Sequence, residues 1–378
     1  MYQVPLRNVS LATRQTIRQV ATITLGGERV RIRLSNEYGD QPLTVGTASI
    51  ALADTGATIV DGSSRSVTFG GRSSVVVGPG AIVVSDPVAW KIPALSTVAV
   101  SLYFPDTAFE STLAVASPQI SYTSKPGNFA AASALPVDWG RPVWVFLTGI
   151  DVDNPQARGA IVVLGSSSTG GAGPGISAGA RWPDVLARRL QASREGAMMS
   201  VLTATINGNQ LLANHRTPPS LGRFSRDVLG QSGVTHVIVL EGNNDITMGV
   251  VNSRQPITAA DVIFGLTQIA TRAHDHGLTA FVATLPPFEG ATQEMPANAY
   301  GPAAEAIRRD VNNWIRGNTI FDGVIDFDAC VRDPTHPTRL RPTFDSSDHI
   351  HFNNAGFRAM GECVDLGLFV GAKRGSGS

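Results

Sequence analysis

The sequence predicts two fold classes in one chain: an all-β portion, sandwich or jelly roll, followed by a doubly wound α/β portion with a mainly parallel sheet. Three observations carry this. Up to about residue 150 the apolar residues come in short runs broken by glycine turns, with no segment of useful helical period. From Gly159-Ala160-Ile161-Val162-Val163-Leu164 onward the runs are continuously apolar, as in strands buried on both faces. Between those later runs lie stretches of helical period, so strands and helices alternate.

In the first portion, Gln19–Leu25 reads as a strand. Arg29-Val30-Arg31-Ile32-Arg33-Leu34-Ser35 alternates basic and apolar residues, the mark of a strand with one face buried. The intervening Gly26-Gly27 reads as a hairpin turn. Short strands are expected at Ser66–Phe69, Ser74–Val77, Ala81–Val84 and Thr97–Phe104. In the second portion, strands are expected at Gly159–Leu164, Val201–Ile206, Thr235–Leu240, Leu278–Leu285 and Gly323–Phe327. Helices are expected at Trp182–Gln191, with Pro183 in its first turn, and at Ala259–His274, Ala303–Ile315 and Ala355–Leu366. A domain boundary falls near residue 155, giving 1–155 and 156–372. A chain of 378 residues exceeds one ordinary core, which also favours two domains.

Composition excludes several classes of function. Lys+Arg and Asp+Glu are equal at 30 each, so neither nucleic acid nor an anionic membrane is the expected partner. No run is long and apolar enough to span a membrane. The start Met1-Tyr2-Gln3-Val4-Pro5 has no basic, then apolar, leader pattern. The tail Arg374–Ser378 reads as a linker, which leaves open a start placed after a removed signal and a secreted or periplasmic location. Cys330 and Cys363 are the only cysteines. Two buried thiols, or one disulfide tying the last strand to the last helix in an oxidising compartment, both remain open. Their spacing fits no zinc site.

In open α/β sheets ligands bind beyond the carboxyl ends of the strands. Three unusual segments lie there: Gly165-Ser166-Ser167-Ser168-Thr169-Gly170, Ile206-Asn207-Gly208-Asn209 and Gly242-Asn243-Asn244-Asp245. A fourth, Asp348-His349-Ile350-His351, lies near the C-terminus. Ester cleavage needs a nucleophile, a base, a carboxylate to orient the base, and donors for an oxyanion. Ser167 is the candidate nucleophile, in a glycine-rich turn. His351 is the candidate base, with Asp348 three residues before it; His349 competes but stands immediately beside Asp348. Candidate oxyanion donors are the Asn244 amide and the N–H groups of Gly208 and Ser167. Gly165 and Gly170 have the spacing of a phosphate loop, but Gly171-Ala172 stands where such a loop requires Lys-Ser/Thr.

At these residues the chain resembles the SGNH (GDSL-type) hydrolases. That family has a serine block after its first strand, a glycine block after the second, Gly-x-Asn-Asp after the third, and Asp-x-x-His near the end. The resemblance covers roughly residues 158 to 370 and includes Arg181-Trp182-Pro183-Asp184-Val185-Leu186 and Ile350–Phe357. It implies a flavodoxin-like fold and a Ser167-His351-Asp348 triad, with oxyanion donors at Ser167, Gly208 and Asn244. The N-terminal part resembles the β-rich domain that precedes some bacterial members, at Arg31–Asn36 and Ser85–Val88. One departure stands out: the family's Gly-Asp-Ser is here Gly165-Ser166-Ser167, and Gly170 replaces a later Asp.

The expected function is hydrolysis of small carboxylic esters, with short acyl or acetyl groups, or of acylated carbohydrates. It requires no metal or organic cofactor, and activity is expected to rise with pH as the imidazole becomes neutral. Two alternatives use the same residues: a binding protein whose site has decayed, motivated by Ser166 and Gly170, and an acyltransferase with an acceptor other than water.

Overall fold

Parallel strand pairing begins at Gly159, and every described strand pair before it is antiparallel. The computed structural model describes residues 2–3, 9–115, 119–171, 179–194, 196–214, 217–249, 256–291 and 300–370; the tail Arg374–Ser378 lies outside them. Two compact units divide the chain, Met1–Gln156 and Ala157–Ser378.

The first unit contains a six-stranded sheet built around the long pair Ser10–Thr22 and Thr97–Phe109. A second sheet is built around Gly27–Ser35, which pairs with Leu147–Asp153, Ile82–Val84 and Val88–Ile92. Ile17, Ile50, Val100 and Leu102 from the first sheet and Val30, Ile32, Leu34 and Leu147 from the second share one apolar core. This is the β-sandwich arrangement, with inward residues of both sheets meeting.

Two expectations need correction here. Gly26-Gly27 is not a hairpin turn, because the strands before and after it enter different sheets. These glycines are required by close backbone approach instead: a Cβ at Gly26 would lie 2.6 Å from Ala94 N, and one at Gly27 would lie 2.6 Å from Asp153 O. The first long strand also starts at Ser10 rather than Gln19. Its polar residues are buried and bonded: Thr16 N–H donates to Ser124 Oγ, and the Arg18 guanidinium donates to the carbonyls of Ala57, Phe129, Ala132 and Ser133.

The second unit is a flavodoxin-like α/β fold. Its strands are β1 (Gly159–Gly165), β2 (Met199–Thr205), β3 (Val234–Leu240), β4 (Thr279–Ala283) and β5 (Gly323–Ile325), in the spatial order β2-β1-β3-β4-β5. All pairs are parallel. Ile161 to Leu164 and Val237 to Val239 are fully buried, which explains their continuous apolar runs. The helices are α1 (Ser167–Gly170), α2 (Trp182–Ala192), α3 (Ser220–Phe224), α4 (Asn243–Gly249), α5 (Ala259–Asp275), α6 (Pro302–Gly317), α7 (Phe327–Val331), α8 (Asn354–Cys363) and α9 (Gly367–Val370). Helix α2 packs on α8 and α5 on α6. The order reverses at β1, so the crevice beside its carboxyl end is the switch point where such sheets bind ligands. Register brings Gly165, Thr205 and Leu240 to one level. The three segments that follow them therefore emerge side by side.

Cys330 and Cys363 form a disulfide. It joins α7, rather than the last strand, to the end of α8.

Candidate active site

The serine segment is shaped by what its glycines avoid. A Cβ at Gly165 would meet Thr169 Oγ1 at 2.5 Å, and one at Gly170 would lie 3.0 Å from Thr205 Oγ1 and 3.1 Å from Asn207 Oδ1. The chain can thus turn tightly out of β1 and lie directly on the segment leading to Gly208. Ser167 opens a single helical turn rather than an open glycine loop, and Gly171 closes it at φ +84°. As the first residue of that turn, Ser167 has an N–H with no partner inside it. Trp182, fully buried, donates its Nε1–H to Thr169 Oγ1 at 3.3 Å and holds the turn from behind.

His351 meets this turn from the C-terminal loop. Its Nε2 lies 2.9 Å from Ser167 Oγ and its Nδ1 lies 2.7 Å from Asp348 Oδ2. Asp348 Oδ1 accepts from the N–H groups of His351 and Ile350 and from Ser346 Oγ. Burial opposes the charge of Asp348, but hydrogen bonds from the His351 ring and backbone outweigh it and hold the carboxyl below its usual range. The carboxylate thus fixes both the ring's orientation and the proton on Nδ1, leaving Nε2 as an acceptor toward the hydroxyl. His349 is turned elsewhere: its Nδ1 lies 2.5 Å from Asp345 Oδ2, and its ring packs beside Gly290. The hydroxyl within hydrogen-bond distance of His351 Nε2 is that of Ser167, not Ser166 or Ser168.

Gly208 is exposed at φ +71°, a conformation that excludes most side chains. Asn244, on the first turn of α4, donates Nδ2–H to Asn209 O at 2.8 Å. One amide hydrogen is used there, and an amide carries two. Asp245 accepts from the N–H groups of Leu211 and Leu212, tying α4 to the stretch after Gly208. Burial pushes its carboxyl up to about 6. The structure therefore joins Ser167, His351 and Asp348 in one hydrogen-bonded line, and connects Gly208 to Asn244 through Asn209.

Behind the glycine turn lies a polar cluster that the sequence reading missed: Asn209, Ser220, Arg223, Asp227 and Glu241, all buried. One signal was available. Glu241 directly follows the apolar run Val237–Leu240, and a carboxyl buried there requires partners. Among the described residues no group of three or more His, Cys, Asp or Glu is arranged to hold a metal. No described helix is long and apolar enough to cross a membrane.

A parallel sheet with a serine, an imidazole and a carboxylate in line at its switch point defines a class, the α/β proteins with a hydrolase-type site. The GDSL-like Lipase/Acylhydrolase family model matches residues 163–359 of the 378, and the chain belongs to that family. Similar solved structures include a GDSL-like lipase from Bacteroides thetaiotaomicron, at 14% identity over 56% of this chain and 87% of that one, with a TM-score of 0.40. They also include the M. smegmatis aryl esterase, at 17% over 54% and 94% with a TM-score of 0.41. TesA is similar at 20% over 54% and 94%, with a TM-score of 0.40. No curated protein matches the chain.

Proposed function

We propose that the chain is a serine esterase that cleaves small carboxylic esters, with short acyl or acetyl groups, through an acyl-enzyme. The observation that carries this is the line from Ser167 Oγ through His351 Nε2 and Nδ1 to Asp348 Oδ2, at 2.9 and 2.7 Å. His351 Nε2 takes the Ser167 hydroxyl proton as Oγ bonds to the ester carbon, and the carbonyl electron pair moves onto its oxygen. The N–H groups of Ser167 and Gly208 and the free Asn244 amide hydrogen are the donors for that oxyanion. Collapse breaks the bond to the leaving alkoxide, which takes the proton from His351. Water, deprotonated by His351 in turn, attacks the acyl carbon and releases the acid, restoring the Ser167 hydroxyl. The short-acyl preference rests on the sequence, which has no long apolar lid segment.

A screen of chromogenic esters varied in acyl length and leaving group, including acetylated sugars, tests this beside Ser167→Ala. Turnover of acetyl or butyryl esters that is lost in Ser167→Ala is the expected result. A phosphonate label that persists in Ser167→Ala overturns the nucleophile assignment. Turnover confined to long-chain esters overturns the acyl preference. Absence of turnover above Ser167→Ala selects the binding-protein alternative.

A further inference from the structure

We propose that Arg223 is the positioning residue of the oxyanion pocket: one buried guanidinium clamps the carboxyl ends of β1, β2 and β3, and so sets Ser167, Gly208 and Asn244 relative to one another. This rests on the esterase reading of the same site and adds a residue that never touches substrate.

Arg223 sits on α3 with its side chain fully buried. Its Nη1 donates to Ala204 O at 2.7 Å, within the last two residues of β2. Its Nη2 lies 3.3 Å from Gly165 O, the end of β1 and two residues before the nucleophile. The same nitrogen lies 3.3 Å from Glu241 Oε1, immediately beyond β3 and three residues before Asn244. Its Nε donates at 2.9 Å to Asn209 Oδ1, and the main-chain carbonyl of Asn209 receives the Asn244 amide. Four of the five guanidinium N–H groups are used in these links, and each link leads to a segment carrying one proposed oxyanion donor. A planar fork can do this at fixed angles; a lysine ammonium cannot.

The surroundings are arranged to keep that fork in place. Helix α3 continues into a π-helical turn, Ser225–Leu229. Asp227, four residues on, lies 3.0 Å from Arg223 Nη1. Burial works against Asp227 ionising, but Arg226 and Arg223 outweigh it and bring its carboxyl down to about 2. Asp227 therefore supplies the counter-charge. Glu241 behaves oppositely: burial pushes it up to about 8 against the pull of Arg223. The hydrogen bonds agree, because Ser220 Oγ faces both Asn209 Oδ1 at 2.7 Å and Glu241 Oε1 at 2.8 Å with a single hydroxyl proton. A protonated Glu241 supplies the second. The buried cluster then holds one cation, one anion and neutral partners, at little net charge cost.

Arg223→Lys and Arg223→Met are compared with wild type using a short chromogenic ester, with active sites titrated by a phosphonate. Oxyanion donors act in the transition state, and a displacement of one ångström costs roughly a hundredfold. Arg223→Met is expected to lose on the order of a hundredfold in kcat per titrated site with KM within about threefold, and Arg223→Lys to lose less. Affinity for a short-chain trifluoromethyl ketone, which forms the tetrahedral adduct, should fall in parallel. A merely structural arginine would reduce the titratable fraction and leave kcat per site unchanged. If Arg223→Met does not fold, Arg223→Lys decides. An active wild type with the folded variant at wild-type kcat per site overturns this proposal alone. A wild type that neither turns over esters nor labels at Ser167 overturns the esterase reading, and the proposal with it.

Discussion

Asp348→Asn tests the proposed relay at its least exposed joint, and the structure dictates how the new amide must sit. Three donors converge on Asp348 Oδ1: His351 N–H at 2.8 Å, Ile350 N–H at 3.2 Å and Ser346 Oγ at 3.0 Å. An asparagine must keep its oxygen there, because an amide nitrogen would face two backbone N–H groups. Its NH2 therefore occupies the Oδ2 position, 2.7 Å from His351 Nδ1. That ring nitrogen becomes the acceptor, and the imidazole proton moves to Nε2, which faces Ser167 Oγ at 2.9 Å. A protonated Nε2 cannot accept the serine proton. The expected loss in kcat is roughly ten-thousand-fold, about 5 kcal/mol in the barrier. The three donors keep their acceptor, so the fold should be retained, but the stability that the ionised carboxylate adds near neutral pH is lost and the melting temperature should fall. Steady-state kinetics on a short chromogenic ester, with the tautomer read by 15N NMR of the ring, measure both. A kcat within about tenfold of wild type with Nε2 protonated would refute the reasoning.

Other expectations follow from the same coordinates. The Cys330–Cys363 disulfide spans a sequence separation of 33 that contains both Asp348 and His351. Replacing both cysteines with serine should cost about 3–4 kcal/mol, a fall of roughly 10 °C for a unit of this size; calorimetry checks it. Glu241 has a folded value raised to about 8 from 4.5, so the native state holds a proton that the unfolded chain has lost. Stability should therefore decline between about pH 5 and about pH 8, and Glu241→Gln should flatten that decline in denaturant titrations. Asp348 contributes with the opposite sign: its depressed value adds stability above its ordinary range that is lost on acidification. Gly208→Ala meets no atom within 4 Å, so backbone strain at φ +71° alone should destabilise the protein by about 1–2 kcal/mol, measured by thermal melting.

The fold was most legible where burial is two-sided. Ile161–Leu164 and Val237–Val239 read as strands because every residue in them is buried, and Ala259–His274 read as a helix because its buried residues keep one face. Ser167, Gly208 and Asn244 were legible because they follow such strands within a few positions, and Asp348 and His351 because of their Asp-x-x-His spacing near the C-terminus. Legibility failed where polar groups are buried with local partners. Thr16, Arg18 and Gln19 lie in a sandwich strand with their side chains bonded to carbonyls or hydroxyls, so their polarity hid nine residues of pairing before Gln19. Arg223 lies on a five-residue helix followed by a π turn, too short for periodicity to register. Gly26 and Gly27 misled because close backbone approach selects glycine as strongly as a turn does.

The departure from the family's serine block follows from the same contacts. Without a carboxylate at Ser166, the serine turn lacks a charged anchor of its own, and a larger residue at Gly170 would press on Thr205 and Asn207. Yet the end of β1 is bonded, through Gly165 O, to a guanidinium that arrives from α3. On the proposed role of Arg223, the nucleophile's strand is held by a charged group from another element. Ser166 in place of Asp is then compatible with a working site, since the serine keeps its contact with His351 and its neighbours keep their level with Thr205 and Leu240.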